Sequence, residues 1–417
     1  MTTFPGKERT SAALVLDLNK TGCAIARCLG RAGVPVTGVH AAPYPALGAL
    51  SRYVADPILL DGASDEKLLD AVKTIADRSD NRPVVLCATD QAVDFCSRNR
   101  SRLERHVHLA HARGLALHTL LDKGVQAEIA KSAGLDVPPT KVVRRGTPDL
   151  AHVPLPAIVK PANSLLGYKR LMGIESTRST LLARVTETLA HCPHLVVSAY
   201  VPGPCMGNHT VLALACHDGS VVVAAVTRKL RQVPQLAFGA GSLVETCRDD
   251  EIASLAVAFI REAGLVGPVE VEFKREHGDG RAWFIEANLR CSALIEMTAA
   301  TGLNLPCLAY RDALAAQHPG HAHGPERVIW VDELRDWRLC ATGQISLECL
   351  LRGYDDVTML SLFAHDDPEP FVAARRLALA ESGADHALLT LVLEHLLAHH
   401  VGTAESGAVA HSQDPEA

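Results

Sequence analysis

From Ser11 the chain runs Ala-Ala-Leu-Val-Leu-Asp-Leu, an apolar burst of the kind a strand buried on both faces needs. Asn19-Lys20-Thr21-Gly22 follows, and then a helical period that lasts to Leu29. Residues 34–39 supply a second strand, and residues 83–87, with a helix-like stretch over 92–100 behind them, repeat the pattern. Strand and helix alternating in this way predict an α/β unit on a parallel sheet. A dinucleotide fold is the first reading this invites. The turn after the first strand carries one glycine, Gly22, where the pyrophosphate fingerprint needs Gly-x-Gly-x-x-Gly. Nicotinamide-dependent chemistry is therefore disfavoured.

Near residue 115 the pattern changes, and a domain boundary is placed there. Asp122-Lys123 opens a helical segment ending near Gly134, and Pro138-Pro139 forbids its continuation. Residues 156–161 form a short strand with Lys160 at its end, and residues 195–201 another that closes on Pro202-Gly203-Pro204. Residues 210–216 and 220–226 flank His217-Asp218-Gly219, the turn chemistry of a tight hairpin. Asp249 or Asp250 caps a helix whose apolar residues, Ile252, Leu255, Ala256, Phe259 and Ile260, keep a 3.6 period until Gly264. The middle of the chain thus reads as α+β with antiparallel sheets. Beyond Gly320 the helical signals are mixed, with a break at Asp366-Asp367-Pro368. Residues 402–417 hold few large apolar side chains and predict a disordered tail.

Two further strands carry the candidate chemistry. In residues 267–275, Val269, Val271 and Phe273 alternate with Glu270, Glu272 and Lys274, so one face is apolar and the other charged. Residues 281–290 return after a loop containing Gly278-Asp279-Gly280. If those three residues are the connection, His277 pairs with Arg281, Glu272 falls opposite Glu286, and Glu270 opposite Asn288. Directly opposed residues have Cβ atoms only ~4.5–5.5 Å apart, and like charges there are destabilising, so a cation is expected between them. Two carboxylates and an amide oxygen make a hard, all-oxygen set that favours Mg²⁺ or Mn²⁺ over zinc. Arg290, on the same parity, adds a fork suited to a phosphate oxygen. Lys160 ends a strand and Lys123 opens a helix, placements that aim an ammonium at a bound anion.

Composition narrows the function class. The 417 residues suggest about three domains at roughly 150 each. A formal charge of −6 disfavours nucleic acid as a partner. No apolar stretch approaches the ~18–20 residues of a membrane span, and the polar N-terminus lacks the core of a signal peptide, so a cytoplasmic protein is expected. The 12 cysteines include no Cys-x-x-Cys pair and read as buried reduced thiols, and the histidines show no zinc-ligand pattern.

The ordered set Asp122-Lys123, Ile158-Val159-Lys160-Pro161, Tyr200-Val201-Pro202-Gly203, Glu272-Phe273 and Glu286-Ala287-Asn288-Leu289-Arg290 resembles the ATP-grasp superfamily, and within it carboxylate–amine ligase-like members. The resemblance covers about 110–315 and is supported by Arg228-Lys229-Leu230-Arg231-Gln232 and by residues 299–306. It implies an α/β parallel-sheet domain over 1–114, then α+β ATP-grasp lobes over 115–200 and 201–320 that clamp ATP. A small C-terminal α+β region over 321–401 and the tail over 402–417 complete the chain. It also implies that Lys123 and Lys160 contact ATP phosphates, and that Ser198 to Val201 bind the adenine edge through backbone groups. Glu272, Glu286 and Asn288 would hold magnesium, with Arg290 beside the transferred phosphate. Residues 163–173, with Gly167, Lys169, Arg170 and Gly173, take the place of the phosphate-covering loop. The sequence departs from the family at Val197-Ser198-Ala199-Tyr200, which lacks the usual glutamate, so a side-chain contact to the base is expected to be lost.

The implied activity is an ATP-dependent ligase that activates a carboxylate as an acyl phosphate and passes the acyl group to an amine, releasing ADP and phosphate. Such chemistry asks chiefly for positioning and charge stabilisation. Lys229 and Arg231, at alternate positions, are expected to point the same way and hold the carboxylate or acyl phosphate, while Glu296 reads equally as orienting the amine or as a structural residue beside the core. Partners are then small-molecule carboxylate and amine substrates, with no nucleic acid or membrane and with a homodimer left open. The alternative is a nucleotide-binding regulatory protein of the same fold without turnover.

Overall fold

The computed structural model describes residues 11–62, 64–111, 117–146, 149–163, 165, 171–234, 239–316, 325, 327–382 and 386–408. Its N-terminal part holds β1 (Ala13–Leu16), α1 (Lys20–Arg31), β2 (Val36–His40), β3 (Ile58–Leu59), α2 (Asp65–Arg78), β4 (Val84–Cys87), α3 (Asp90–Arg98), α4 (Arg100–Leu103), β5 (His108–Leu109) and α5 (Leu117–Leu120). The five strands form a parallel sheet in the order β3-β2-β1-β4-β5, as the alternation of apolar bursts and helical periods predicts. Asn19 caps α1 by accepting from Gly22 N, and a Cβ on Gly22 would lie 2.1 Å from the Asp17 carbonyl oxygen. That glycine serves the close packing of helix on strand rather than a diphosphate.

A smaller layer follows: α6 (Lys123–Ser132), β6 (Thr140–Arg144), β7 (Ala157–Pro161), β8 (Gly173–Glu175), α7 (Arg178–His191) and β9 (His194–Ala199). Its four strands are antiparallel in the order β6-β9-β7-β8. Val143, Val159 and Val197 project to one face and pack against Leu181 and Val185 of α7. The opposite face is left to Lys160, Ile158 and Ser198, because side chains alternate along a strand.

The large sheet comprises β10 (Asn208–Ala215), β11 (Val221–Val233), β12 (Ala240–Cys247), β13 (Gly267–Arg275), β14 (Ala282–Asn288), β15 (Ile329–Val331) and β16 (Met359–Leu360), in the order β14-β13-β10-β11-β12-β15-β16. With it come α8 (Asp250–Glu262), α9 (Ile295–Ala300), α10 (Leu305–Ala313), α11 (Glu333–Ala341), α12 (Leu347–Arg352), α13 (Glu369–Ser382) and α14 (His386–Ala408). Asp249, not Asp250, caps α8. Phe259 of α8 stacks on Phe284 with ring centroids 4.7 Å apart, and this cluster is continuous with Leu14 and Val85 of the N-terminal sheet. The parallel sheet and the large sheet therefore share a core. The C-terminal part extends the large sheet through β15 and β16 and has its own cluster around Trp337, Tyr354, Phe371 and Leu389.

The expected tail begins as helix: α14 continues past Gly402 to Ala408, since small residues can propagate a helix already nucleated by the apolar stretch before them. Most of the cysteines are buried free thiols. Among the described residues no helix is long and apolar enough to cross a membrane.

Candidate functional site

The β13–β14 ribbon pairs Glu272 with Glu286 and Glu270 with Asn288. The route to that register differs from the simple count. At the turn Glu276 N donates to Arg281 O at 2.9 Å and Arg275 faces Ala282, so the connection is one residue longer than the glycine triplet suggests. A β-bulge between Glu272 and Phe273, opposite Ile285, returns the lost residue. The bulge keeps both carboxylates on one face, where a one-residue slip would have turned one away.

Helix α6 is tied to this ribbon at several points. Asp122 caps it by accepting from Gly124 N at 2.8 Å and Val125 N at 3.3 Å, and its other oxygen meets His194 Nε2 at 2.5 Å. Lys123 N donates to Ala162 O at 2.8 Å, fixing the helix start to the end of β7. One turn on, the buried Gln126 side chain donates to Ala287 O at 2.8 Å and accepts from Ala287 N at 2.9 Å. Gln126 thus grips the peptide between Glu286 and Asn288 in both directions. Sequence reasoning missed it; the signal available was its place three residues after Lys123, on the same helix face.

The charges meet over this frame. Lys123 Nζ lies 2.9 Å and Lys160 Nζ 3.8 Å from Glu286 Oε2, while Lys229 Nζ lies 3.5 Å from Glu272 Oε2. Burial works against the charge on Lys123, but Glu286 outweighs it and raises the ammonium above its ordinary value. Burial prevails at Lys160 and pushes it down, Lys123 adding to the effect. At Lys229 the carboxylates of Glu272 and Glu270 overcome burial. Burial, followed by the charge of Glu272, pushes Glu270 up to about 6. Asn288 Nδ2 donates to Glu270 Oε1 at 2.8 Å and reaches Glu272 Oε1 at 3.4 Å.

Could such a set hold a divalent ion? Among the described residues, no three His, Cys, Asp or Glu side chains form a ready-made cage. Two carboxylates on adjoining strands, plus an amide whose oxygen and nitrogen exchange on rotation, nevertheless offer hard donors. The residues fit a small hard cation.

Arg290 donates from Nε to Asp90 Oδ1 at 2.8 Å and from Nη1 to Cys291 O at 3.1 Å. Burial opposes its charge, yet Asp90 and Glu270 hold it above the ordinary value. The N-terminal sheet, through Asp90 at the start of α3, thereby orients an arginine of the large lobe.

Lys123 and Lys160 also line an open cavity, together with Thr140, Ser198, Tyr200 and Val201. Lys274 closes one side, its ammonium donating to Pro204 O at 2.6 Å and Gly203 O at 3.2 Å, so it clamps the segment after Val201.

One expectation requires correction. Lys229 and Arg231 do not point the same way, because a bulge at Leu230 sets Lys229 opposite Val244 and Arg231 opposite the adjacent Leu243. Arg231 instead forks onto Asp336, Nε to Oδ1 at 3.1 Å and Nη2 to Oδ2 at 2.6 Å, beneath the Tyr354 ring. Of the two readings of Glu296, the structural one agrees with its position, buried and 2.5 Å from Arg31 Nη1. Gly167, Lys169 and Arg170 lie outside the described residues.

Residues 191–335 match the family described as "ATP-grasp in the biosynthetic pathway with Ter operon". Comparison of the sequence with curated proteins finds no match. Among solved structures, the chain is similar to an N5-carboxyaminoimidazole ribonucleotide synthetase in complex with ADP, with a TM-score of 0.62 and 17% identity over 80% of this chain and 84% of that one. It is similar to the L-amino acid ligase from Bacillus licheniformis, with a TM-score of 0.54 and 18% identity over 74% and 75% of the two chains. For the biotin carboxylase from Campylobacter jejuni the TM-score is 0.58, with 16% identity over 76% of this chain and 74% of that one. Taken with the three sheets and their order, these likenesses show that the chain has an ATP-grasp fold, and residues 191–335 are similar to a family of that fold.

Proposed function

We propose that the protein is an ATP-dependent carboxylate–amine ligase that forms an amide or peptide bond through an acyl phosphate. The observation that carries this reading is the convergence of Lys123 and Lys160 on Glu286 beside the cavity that both lysines line. Two ammonium groups from separate elements that share one carboxylate can exchange it for phosphate oxygens. Glu272, Glu286 and Asn288 would hold Mg²⁺ or Mn²⁺, which when bound supplies charge neutralisation to the transferring phosphoryl group.

Lys123 and Lys160 orient the triphosphate, and the backbone from Ser198 to Val201 takes the base edge. Arg290, held by Asp90, presents its remaining N–H groups to the phosphoryl oxygen or the substrate carboxylate. A carboxylate oxygen attacks the γ-phosphorus and ADP leaves. The amine then attacks the acyl carbon, loses its proton, and phosphate leaves. Lys229, on the cleft side of β11, is placed to hold the acyl phosphate, while Arg231 takes no part. No side-chain nucleophile is needed. The superfamily likeness to an amino acid ligase and a ribonucleotide synthetase supports small carboxylate and amine substrates.

The test is to incubate the protein with ATP, Mg²⁺ and pooled amino acids, follow ADP, and search by mass spectrometry for condensation products formed only with ATP. Substrate-dependent ADP release with a matching product is expected. Nucleotide binding without ADP release under any amine or carboxylate would point to a regulatory protein instead.

A further inference from the structure

Thr140 of β6 and Ser198 of β9 are paired across the small sheet, and both side chains line the cavity. Thr140 Oγ1 is 2.6 Å from the Pro138 carbonyl oxygen and 2.9 Å from Ser198 Oγ. A hydroxyl has one proton to give, and a carbonyl oxygen has none. The Thr140 proton is therefore committed to Pro138. The contact between the two hydroxyls then requires Ser198 to be the donor and Thr140 the acceptor. With its proton spent, Ser198 Oγ turns only lone pairs to the cavity.

Its position along the sheet says what those lone pairs meet. Ser198 pairs with Ile158, two residues before Lys160 on β7, a separation of roughly 7 Å along the strand. The hydroxyl thus lies back from Lys160 beside Ile158, in a cavity whose lining also includes the apolar Val137 and Ala127, which suit a flat ring better than a phosphate.

We propose that Thr140, acting through Ser198, makes the cavity selective for a purine with a hydrogen-bond donor at C6, a 6-aminopurine over a 6-oxopurine. This rests on the reading of the cavity as an ATP site. A 6-amino group donates to Ser198 Oγ. A 6-oxo group sets lone pair against lone pair and leaves two buried acceptors unpaired, which is the costly kind of mismatch. The side-chain contact that the missing glutamate seemed to forfeit is restored by a hydroxyl whose direction is fixed from behind. Thr140 touches no ligand and is a positioning residue.

Equilibrium binding of ATP and inosine triphosphate to the full chain tests this, since the inosine base carries a 6-oxo group without the 2-amino group of guanine. The wild type is expected to prefer ATP. Thr140→Val keeps the shape but removes the acceptor, releasing the Ser198 proton toward the cavity, so the ATP-to-inosine preference should contract about tenfold. Thr140→Ser keeps the relay and should hold the wild-type preference, while Ser198→Ala should contract it through weaker ATP binding. An unchanged preference in Thr140→Val or in Ser198→Ala, in protein that still binds ATP, would overturn the relay. Equal contraction in Thr140→Ser and Thr140→Val would do the same. Wild-type protein that binds neither triphosphate would instead remove the ATP-site reading itself.

Discussion

Lys229 and Arg231 stand two residues apart on β11 and belong to opposite kinds of charge cluster. Around Asp336 the pairing is saturated: Arg231 forks onto the carboxylate, Ser242 Oγ donates to it at 2.6 Å, and the whole set is buried. A second buried anchor has Arg27 donating to Asp367 Oδ2, Asp367 O and Leu362 O, with Ser51 and Arg52 N completing the Asp367 carboxylate, although Arg27 Nη1 makes no hydrogen bond. These clusters fasten the C-terminal part to the large sheet and to α1. In the cleft the cations are less closely matched, with Lys160 and Lys229 standing off from their carboxylates at 3.8 and 3.5 Å, and Glu270 pushed up to about 6. A saturated cluster has no coordination left for a ligand. An undercompensated one beside a cavity gains by taking a phosphate and a divalent ion. The same residue types therefore serve cohesion in one place and, on the proposed reading, binding in the other, and what separates them is how closely the charges are paired.

The sharpest break in that contrast is Glu286→Gln. It should abolish ADP formation, a loss of at least about a hundredfold of the kind seen when charge stabilisation is removed. The melting temperature without metal should stay close to wild type, and turnover persisting in that variant would contradict the assigned role. On the other side, Arg231→Met leaves the Asp336 carboxylate buried without its fork and should cost about 3–5 kcal/mol in urea unfolding. Whatever remains folded should bind ATP with wild-type affinity; loss of binding in folded Arg231→Met would place this arginine back in the cleft.

Gln126 offers a smaller and more selective perturbation. Gln126→Ala frees the Ala287 peptide and should weaken activation by Mn²⁺ by roughly tenfold or more, the usual scale for groups that orient metal ligands. Gln126→Glu can accept from Ala287 N but not donate to Ala287 O, so it should rescue little. Titration of the metal dependence at fixed ATP reads both.

The smallest effect is a pH dependence. Glu270 has a folded value near 6 against an ordinary 4.5, so its ionisation is disfavoured by folding. The stability it contributes is fully present below about pH 4.5 and is lost as the pH rises through about 6. Metal-free protein should accordingly gain stability in Glu270→Gln at pH 7.5 and gain little at pH 4.5. Added Mg²⁺ should stabilise the wild type more at pH 7.5 than at pH 5, as thermal melts at the two pH values would reveal.

Much of this was legible before any coordinates. Apolar bursts alternating with helical periods placed β1, α1, β2 and β4, and turn chemistry placed the β10–β11 hairpin. The opposition of Glu272 and Glu286 was also readable, though by a count whose error at the turn was cancelled by the bulge at Ile285. Bulges leave no mark in the alternation of residue types, and the one at Leu230 reversed the direction of Arg231. Gln126 and Thr140 were invisible for a different reason. Each acts on the peptide or hydroxyl of another element, and a polar residue in a helix or strand reads the same in sequence whether it faces water or a neighbour's backbone.

The sequence by itself determined the strands and helices, the alternation that gives β13 an apolar and an acidic face, and the residue types able to grip a triphosphate. These follow from local periodicity and intrinsic chemistry. Only the tertiary structure decided which carboxylates stay undercompensated, which arginine is spent on cohesion, and which way the Ser198 hydroxyl points. Those depend on how many partners each group meets through space, and that number is set by packing among segments far apart in the chain.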